Sequence, residues 1–131
     1  MKLVEQRVLV TGASRGIGRA AALAFAKAGA HVIATATSFE PIDSLMAAIQ
    51  AQGGEGTVVV ADLMQRSERH RLVEKAGVVD VLINNAGMLG GRDKLFHTSL
   101  GTFERTLELN TIAPFDLIRL LVPGMVGRGH G

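Results

Sequence analysis

Arg7-Val8-Leu9-Val10-Thr11-Gly12-Ala13-Ser14-Arg15-Gly16-Ile17-Gly18 is the stretch on which the fold turns. The continuous apolar run Val8-Leu9-Val10 predicts a strand buried on both faces over Arg7–Thr11. Three glycines follow at once, and a helical pattern runs from Gly16 to Ala28. Strand, glycine loop and helix, in that order, make a phosphate-binding turn. Gly12 permits the tight turn at the strand end, Gly16 lets a pyrophosphate approach the backbone, and Gly18 lets the helix pack closely on the strand. The free N–H groups and the positive end of the helix dipole then face the phosphates. Ser14 has no indicated His/Asp partner, so it reads as a hydrogen-bonding loop residue rather than a nucleophile.

Outward from this turn, apolar runs alternate with helical patterns, the signature of βαβ units and a parallel sheet. In the first helix Ala20, Leu23, Ala24 and Ala28 form the expected apolar side, and Gly29 the stop. His31–Thr35 predicts a second strand. Pro41 opens a second helix with a buried stripe of Ile42, Leu45, Met46 and Ile49, closed by Gly53-Gly54. Gly56–Ala61 predicts a third strand, Ser67–Lys75 a short polar helix closed by Gly77, and Val78–Asn84 a fourth strand. Two more helices are expected over Ser99–Leu109 and Ala113–Val126, with Pro114 in an opening turn and Pro123 either ending the last helix early or lying in its frayed final turn. The whole predicts an α/β, Rossmann-type, doubly wound parallel sheet of order 3-2-1-4 with helices on both faces. Its binding crevice lies between strands one and four, where the strand order reverses.

A length of 131 residues fits one domain, and 47% apolar residues can supply its core. The chain contains no cysteine, which removes disulfides and thiolate metal sites and is compatible with a cytoplasmic protein. No signal peptide, no membrane span and no metal site are expected. A pI of 9.5 invites a nucleic-acid reading. The net charge is only +2, however, and the densest basic run, Arg66, Arg69, His70 and Arg71, is broken by Glu68 and reads as a solvated helix face. His31, His70, His97 and His130 read as surface histidines.

The second strand ends Ala34-Thr35-Ala36-Thr37-Ser38, with no acid before Glu40. A dinucleotide fold that selects NAD places an Asp or Glu there against the ribose 2′-OH. Arg15 can instead bind a 2′-phosphate bidentately, with Thr37 and Ser38 as hydroxyl donors, so NADP(H) is preferred over NAD(H). The alternative for Arg15 is a solvated surface arginine. Asp62, directly after the third strand, suits a turn or helix cap. Asn84-Asn85-Ala86-Gly87 closes the fourth strand with small residues that admit a ligand and amides that can tie strands together. Asn110, in Leu107-Glu108-Leu109-Asn110, reads as a polar residue at a helix junction.

The Gly-x-x-x-Gly-x-Gly loop, the Asn-Asn-Ala-Gly segment and Asn110-Thr111-Ile112-Ala113-Pro114-Phe115 together resemble the short-chain dehydrogenase/reductase family, from about Gln6 to Gly131. Arg7–Thr37 is particularly similar to bacterial 3-oxoacyl-(acyl carrier protein) reductases. The resemblance implies that Gly12, Ser14, Arg15, Gly16, Ile17, Gly18 and Thr37 bind the cofactor. It implies that Asp62 meets the adenine amino group with Ala61 and Leu63 lining the ring, and that Asn85, Ala86 and Gly87 also contact the cofactor. It implies for Asn110 a catalytic part, holding a water in a proton relay. Asp62 to Asp80 is shorter than usual in the family by roughly four residues, about one helical turn; that helix is expected to sit away from the cofactor.

The family's proton donor is a tyrosine followed one helical turn later by a lysine, and this chain has no tyrosine. One reading is the amino-terminal, cofactor-binding half of an NADP(H)-dependent carbonyl reductase or alcohol dehydrogenase, without turnover of its own. A second is an inactive nucleotide-binding or subunit-interaction protein. A third is a relic whose fold survives only as an oligomer. A homo-oligomer through the last two helices, or through the exposed edge of strand four, is expected.

Overall fold

The strand over Arg7–Thr11 (β1) lies inside the sheet, between a strand at His31–Ala36 (β2) and a short one at Val81–Ile83 (β4). Both neighbours run parallel to it, with Val8 opposite Val32 and Val81. The strand Glu55–Val60 (β3) pairs with the far side of β2, giving the order β3-β2-β1-β4. The computed structural model describes residues 3–131. Helices cover both faces: Gly16–Lys27 (α1) and Glu40–Ala51 (α2) on one, and Arg66–Ala76 (α3) and Ala113–Arg128 (α5) on the other.

Strand periodicity divides the core in two. Val8 and Val10 of β1, with Val32 and Ala34 of β2, face Ala22 and Ala26 of α1 and Ile42, Leu45 and Ile49 of α2. Leu9 and Ile33 point the other way, into Leu72 and Ala76 of α3 and Ala113, Leu117 and Leu121 of α5. The α1 face departs from expectation. Ala20 and Ala24 are exposed, and the buried line is Gly18, Ala22 and Ala26. With alanines at 20, 21, 22, 24 and 26, the helix has little periodicity to read. The rotation is fixed by Gly18, which must be the residue against β1.

β4 is shorter than its apolar run. Arg7 occupies the preceding carbonyls, donating Nε to Val78 O at 2.8 Å and Nη2 to Ala76 O at 3.0 Å, so residues 78–80 serve as a strap. Asp80 accepts the Arg7 amide at 2.9 Å. The final helices also differ. Leu100–Leu107 (α4), capped by Ser99 Oγ accepting the Thr102 amide, passes through a π-helical bulge at Glu108–Ile112 directly into α5. Pro123 does not end this helix, which continues to Arg128. The proline and its neighbours are exposed, so water can take the freed carbonyl, and Arg128 Nη2 anchors the last turn on Val79 O at 2.8 Å.

The joined helix, Leu100–Arg128, is long and apolar enough to cross a membrane by length and composition, which the two separately predicted helices are not. It packs on the sheet and α3 through Leu117 and Leu121, carries the buried Asp116, and leaves most of its apolar stretch exposed.

Asp116 docks α5 on α3. It accepts Arg69 Nε and Arg119 Nη2, each at 2.8 Å. Arg69, in the run expected to be solvated, is 3% exposed. Burial works against both charges, but the hydrogen-bonded partners outweigh it: the guanidiniums of Arg69 and Arg119 hold the Asp116 carboxyl below its usual range, and Asp116 and Glu108 hold Arg69 more firmly protonated. A carboxyl depressed on folding stabilises the fold fully above its unfolded pKa of about 3.9, and that contribution is lost as pH falls through the lower folded value. Urea unfolding between about pH 5 and pH 2 should therefore show a steep acid loss that Asp116→Asn flattens while lowering stability at neutral pH. Parallel curves would show that Asp116 is not a linked group.

Candidate functional site

The β1–β4 ladder ends at Val10 opposite Ile83. Beyond it the two strands separate, and side chains take over the pairing. Thr11 Oγ1 accepts the amides of Asn85 at 3.0 Å and Ala86 at 2.9 Å, and donates to Ile83 O at 3.3 Å. Asn85 Nδ2 returns two bonds, to Thr11 O at 3.0 Å and Gly12 O at 3.1 Å. The Asn-Asn-Ala-Gly segment thus closes onto the glycine loop as its amides suggested. Thr11 itself went unnoticed as a site residue; the available signal was a hydroxyl at the strand end, one position before the loop.

These ties frame a cleft of about 560 Å³ at the carboxyl edge of the sheet. Gly12, Ser14, Arg15, Gly16 and Ile17 form its floor, and Thr35, Ala36 and Thr37 one wall. Ala61, Asp62, Leu63 and Met64 form a second wall, and Asn85, Ala86, Gly87 and Leu109 close it. Twelve of the fifteen residues named from sequence line this one space: Gly12, Ser14, Arg15, Gly16, Ile17, Thr37, Ala61, Asp62, Leu63, Asn85, Ala86 and Gly87; Gly18, Ser38 and Asn110 do not.

Gly18 lies beneath the floor. A Cβ there would collide with Asn85 Nδ2 and Gly12 O, so its role is the close helix–strand approach. Gly16 is the converse: at φ 57° a Cβ would meet nothing within 4 Å, and the backbone stands open to the cleft. No side chain among the described residues caps α1, so its first-turn amides are left for a ligand. Thr35 Oγ1 is fully buried in the wall and has no partner among the described residues. Open amides and an orphaned hydroxyl fit a phosphate-bearing dinucleotide.

Asp62 behaves in part as the turn residue its position suggested. Its Oδ1 accepts the Met64 amide at 3.0 Å and its Oδ2 accepts from Gln65 Nε2 at 3.2 Å. Asn110 stands outside the lining, in the π bulge. Its Oδ1 accepts the Met88 amide and its Nδ2 donates to Met88 O, both at 2.8 Å, clamping the loop after β4. α3 is less remote than expected, because Arg69 Nη1 donates to the carbonyl of Leu63, a wall residue, at 2.7 Å. His31 is half-buried rather than a free surface group, with Nε2 at 2.8 Å from Thr57 Oγ1.

The two threonines test the frame. Thr11→Val strands two amides and should lower the unfolding free energy in urea by about 2–6 kcal/mol, at roughly 1–3 kcal/mol for each orphaned group. Thr35→Val removes a hydroxyl that is already unpaired and should leave stability unchanged or raised. Equal losses in the two variants would mean that Thr11 is not the tie.

The family model for short chain dehydrogenases matches residues 6–131. The chain is 34% identical to the NADPH-dependent pterin aldehyde reductase of Arabidopsis thaliana over 95% of its own length and 52% of the relative's. It is also 34% identical to the 7alpha-hydroxysteroid dehydrogenase of Escherichia coli, over 100% of the chain and 52% of that protein. Its fold superposes, with a TM-score of 0.92 and 32% identity, on a metagenomic short-chain oxidoreductase crystallised in complex with NADP, covering 98% of this chain and 60% of that one. The chain spans about half the length of the curated relatives it matches. On the match of nearly its whole length, the chain belongs to the short-chain dehydrogenase/reductase family.

Proposed function

We propose that residues 1–131 form a single nucleotide-binding domain that serves an NADP(H)-dependent oxidoreductase interconverting a ketone and a secondary alcohol. The observation that carries this reading is the cleft itself, where uncapped helix amides and the Thr11–Asn85 tie meet at the reversal of strand order. Bound NADP(H) supplies or takes up the hydride. The amides of Gly16, Ile17 and Gly18 hold its pyrophosphate. Arg15, Thr37 and Ser38 would take the 2′-phosphate, Asp62 the adenine amino group, and Ala61 and Leu63 the faces of the ring. Asn85, Ala86 and Gly87 receive the nicotinamide half, and Asn110 fixes the neighbouring loop and holds a water on the proton path. The 131 residues contain no tyrosine, so the family's Tyr-x-x-x-Lys acid is not among them. A second reading is an inactive nucleotide-binding or subunit-interaction protein. The proposed location is the cytoplasm.

The intact mass of the protein made from its native gene separates the two readings: a value near 13.8 kDa favours the second, and a considerably larger one the first. Titration of the chain should give a lower Kd for NADPH than for NADH. Loss of a charged bond to the 2′-phosphate in Arg15→Ala should weaken NADPH roughly ten- to a hundredfold and leave NADH unchanged. Equal affinities in the unsubstituted chain would overturn the NADP(H) preference.

Phe103, Phe115, Ile118 and Val126 leave an apolar face on α4 and α5 exposed. The free edge of β4 adjoins it across a groove lined by Val81, Leu82, Val122 and Met125. The proposed partner of this surface is a second copy of the chain. Light scattering over a concentration series should give at least a dimer, and Phe115→Asp should shift it toward monomer. A monomer at every concentration would refute the assembly.

A further inference from the structure

Arg69 stands at a crossing of three elements. Its two Nη1 hydrogens go to different places, Leu63 O at 2.7 Å and Glu108 Oε1 at 2.8 Å, while Nε reaches Asp116 Oδ2 at 2.8 Å. Leu63 belongs to the cleft wall. Glu108 opens the π bulge, whose next residue, Leu109, also lines the cleft. Asn110 follows and holds both backbone groups of Met88 at 2.8 Å. A continuous set of hydrogen bonds and one helical turn thus runs from the Leu63 wall to the loop after β4. A guanidinium can serve three acceptors in fixed directions, which a lysine ammonium cannot do in the same plane. π bulges in helices are frequent at functional sites, where they displace a side chain from the regular helical register.

Building on the dinucleotide reading of the cleft, we propose that Arg69 is a positioning residue that holds the Leu63 wall and the Asn110 bulge at a fixed separation, so that the adenine and nicotinamide halves of the cofactor are bound as one unit. Arg69 touches neither half. It acts through Leu63 at one end and through Glu108 at the other. Docking of α5 on α3 rests on the Asp116 bond and on Leu117 and Leu121. The side chain of Glu108 is 30% exposed, so its removal tests the positioning role without emptying the core.

The test is the Kd of NADPH and of 2′,5′-ADP, which lacks the nicotinamide half, for the unsubstituted chain, Glu108→Ala and Glu108→Gln, with the emission of bound NADPH as a second readout. Glu108→Ala should weaken NADPH on the order of tenfold, the usual size of a coupling between subsites, while leaving 2′,5′-ADP nearly unchanged. It should also alter the emission of bound NADPH. Glu108→Gln keeps an acceptor for Arg69 and should restore most of the NADPH affinity. Arg69→Lys should weaken both ligands; if it does not fold, Glu108→Ala still decides. Equal weakening of both ligands in Glu108→Ala, or an unchanged ratio, would overturn the inference and leave the dinucleotide reading intact. Failure of the unsubstituted chain to bind NADPH would overturn both.

Discussion

Two parallel strands that open a crevice between their ends must stop pairing where the crevice begins, and the backbone groups released there still need partners. In this protein the threonine at the end of β1 meets that need. The Thr11 hydroxyl takes two amides from the chain leaving β4, and the Asn85 side chain returns two bonds to the chain leaving β1. The strands can therefore diverge without stranding buried polar groups. Everything else in the site is placed relative to this joint. The glycine loop begins one residue after Thr11, Gly18 packs under it against Asn85 and Gly12, and the loop clamped by Asn110 begins three residues after Asn85.

The parts legible in the sequence are those fixed by local chemistry. An apolar run without alternation means a strand covered on both faces, and β1 is found over the residues so read. Glycines with one strand before them and one helix after them mean a phosphate loop, and its residues line a common cleft with those after β2, β3 and β4. What stayed hidden depends on distant partners. The buried side of α1 follows from Gly18 meeting β1, which alanine spacing cannot express. The burial of Arg69 follows from acids 39 and 47 positions away. In a basic run interrupted by Glu68, nothing local distinguishes it from its exposed neighbours. The fusion of α4 with α5 went unread because a π bulge absorbs an extra residue that the periodicity presents as a break between helices.

The buried ion pairs and the apolar contacts divide the work of attaching α5. Leu117 and Leu121 supply the area removed from water, while Asp116 and Arg69 add direction, because the buried bond from Arg69 Nε to Asp116 Oδ2 is aligned at only one rotation of the helix. That rotation matters for the site, since the bulge carrying Leu109 and Asn110 is continuous with α5 and turns with it.

The part of the core under α1 is richer in small residues than the rest, including the part of the same face that Ile42, Leu45 and Ile49 of α2 fill. Beneath α1 the core contains Ala13, Ala22, Ala26, Ala30 and Ala34; beneath α3 and α5 it rests on Leu9, Ile33, Leu72, Leu117 and Leu121. Sequence drift will therefore be restrained in opposite senses in the two regions. At Gly12 and Gly18 an added methyl group has no room, and overpacking would push α1 away from the ligand it serves. On the far side a lost methyl group leaves a void, while exchanges that conserve volume are tolerated. Descendants of this sequence should keep the small residues under α1 small and the total volume beneath α3 and α5 constant, even where the individual residues change.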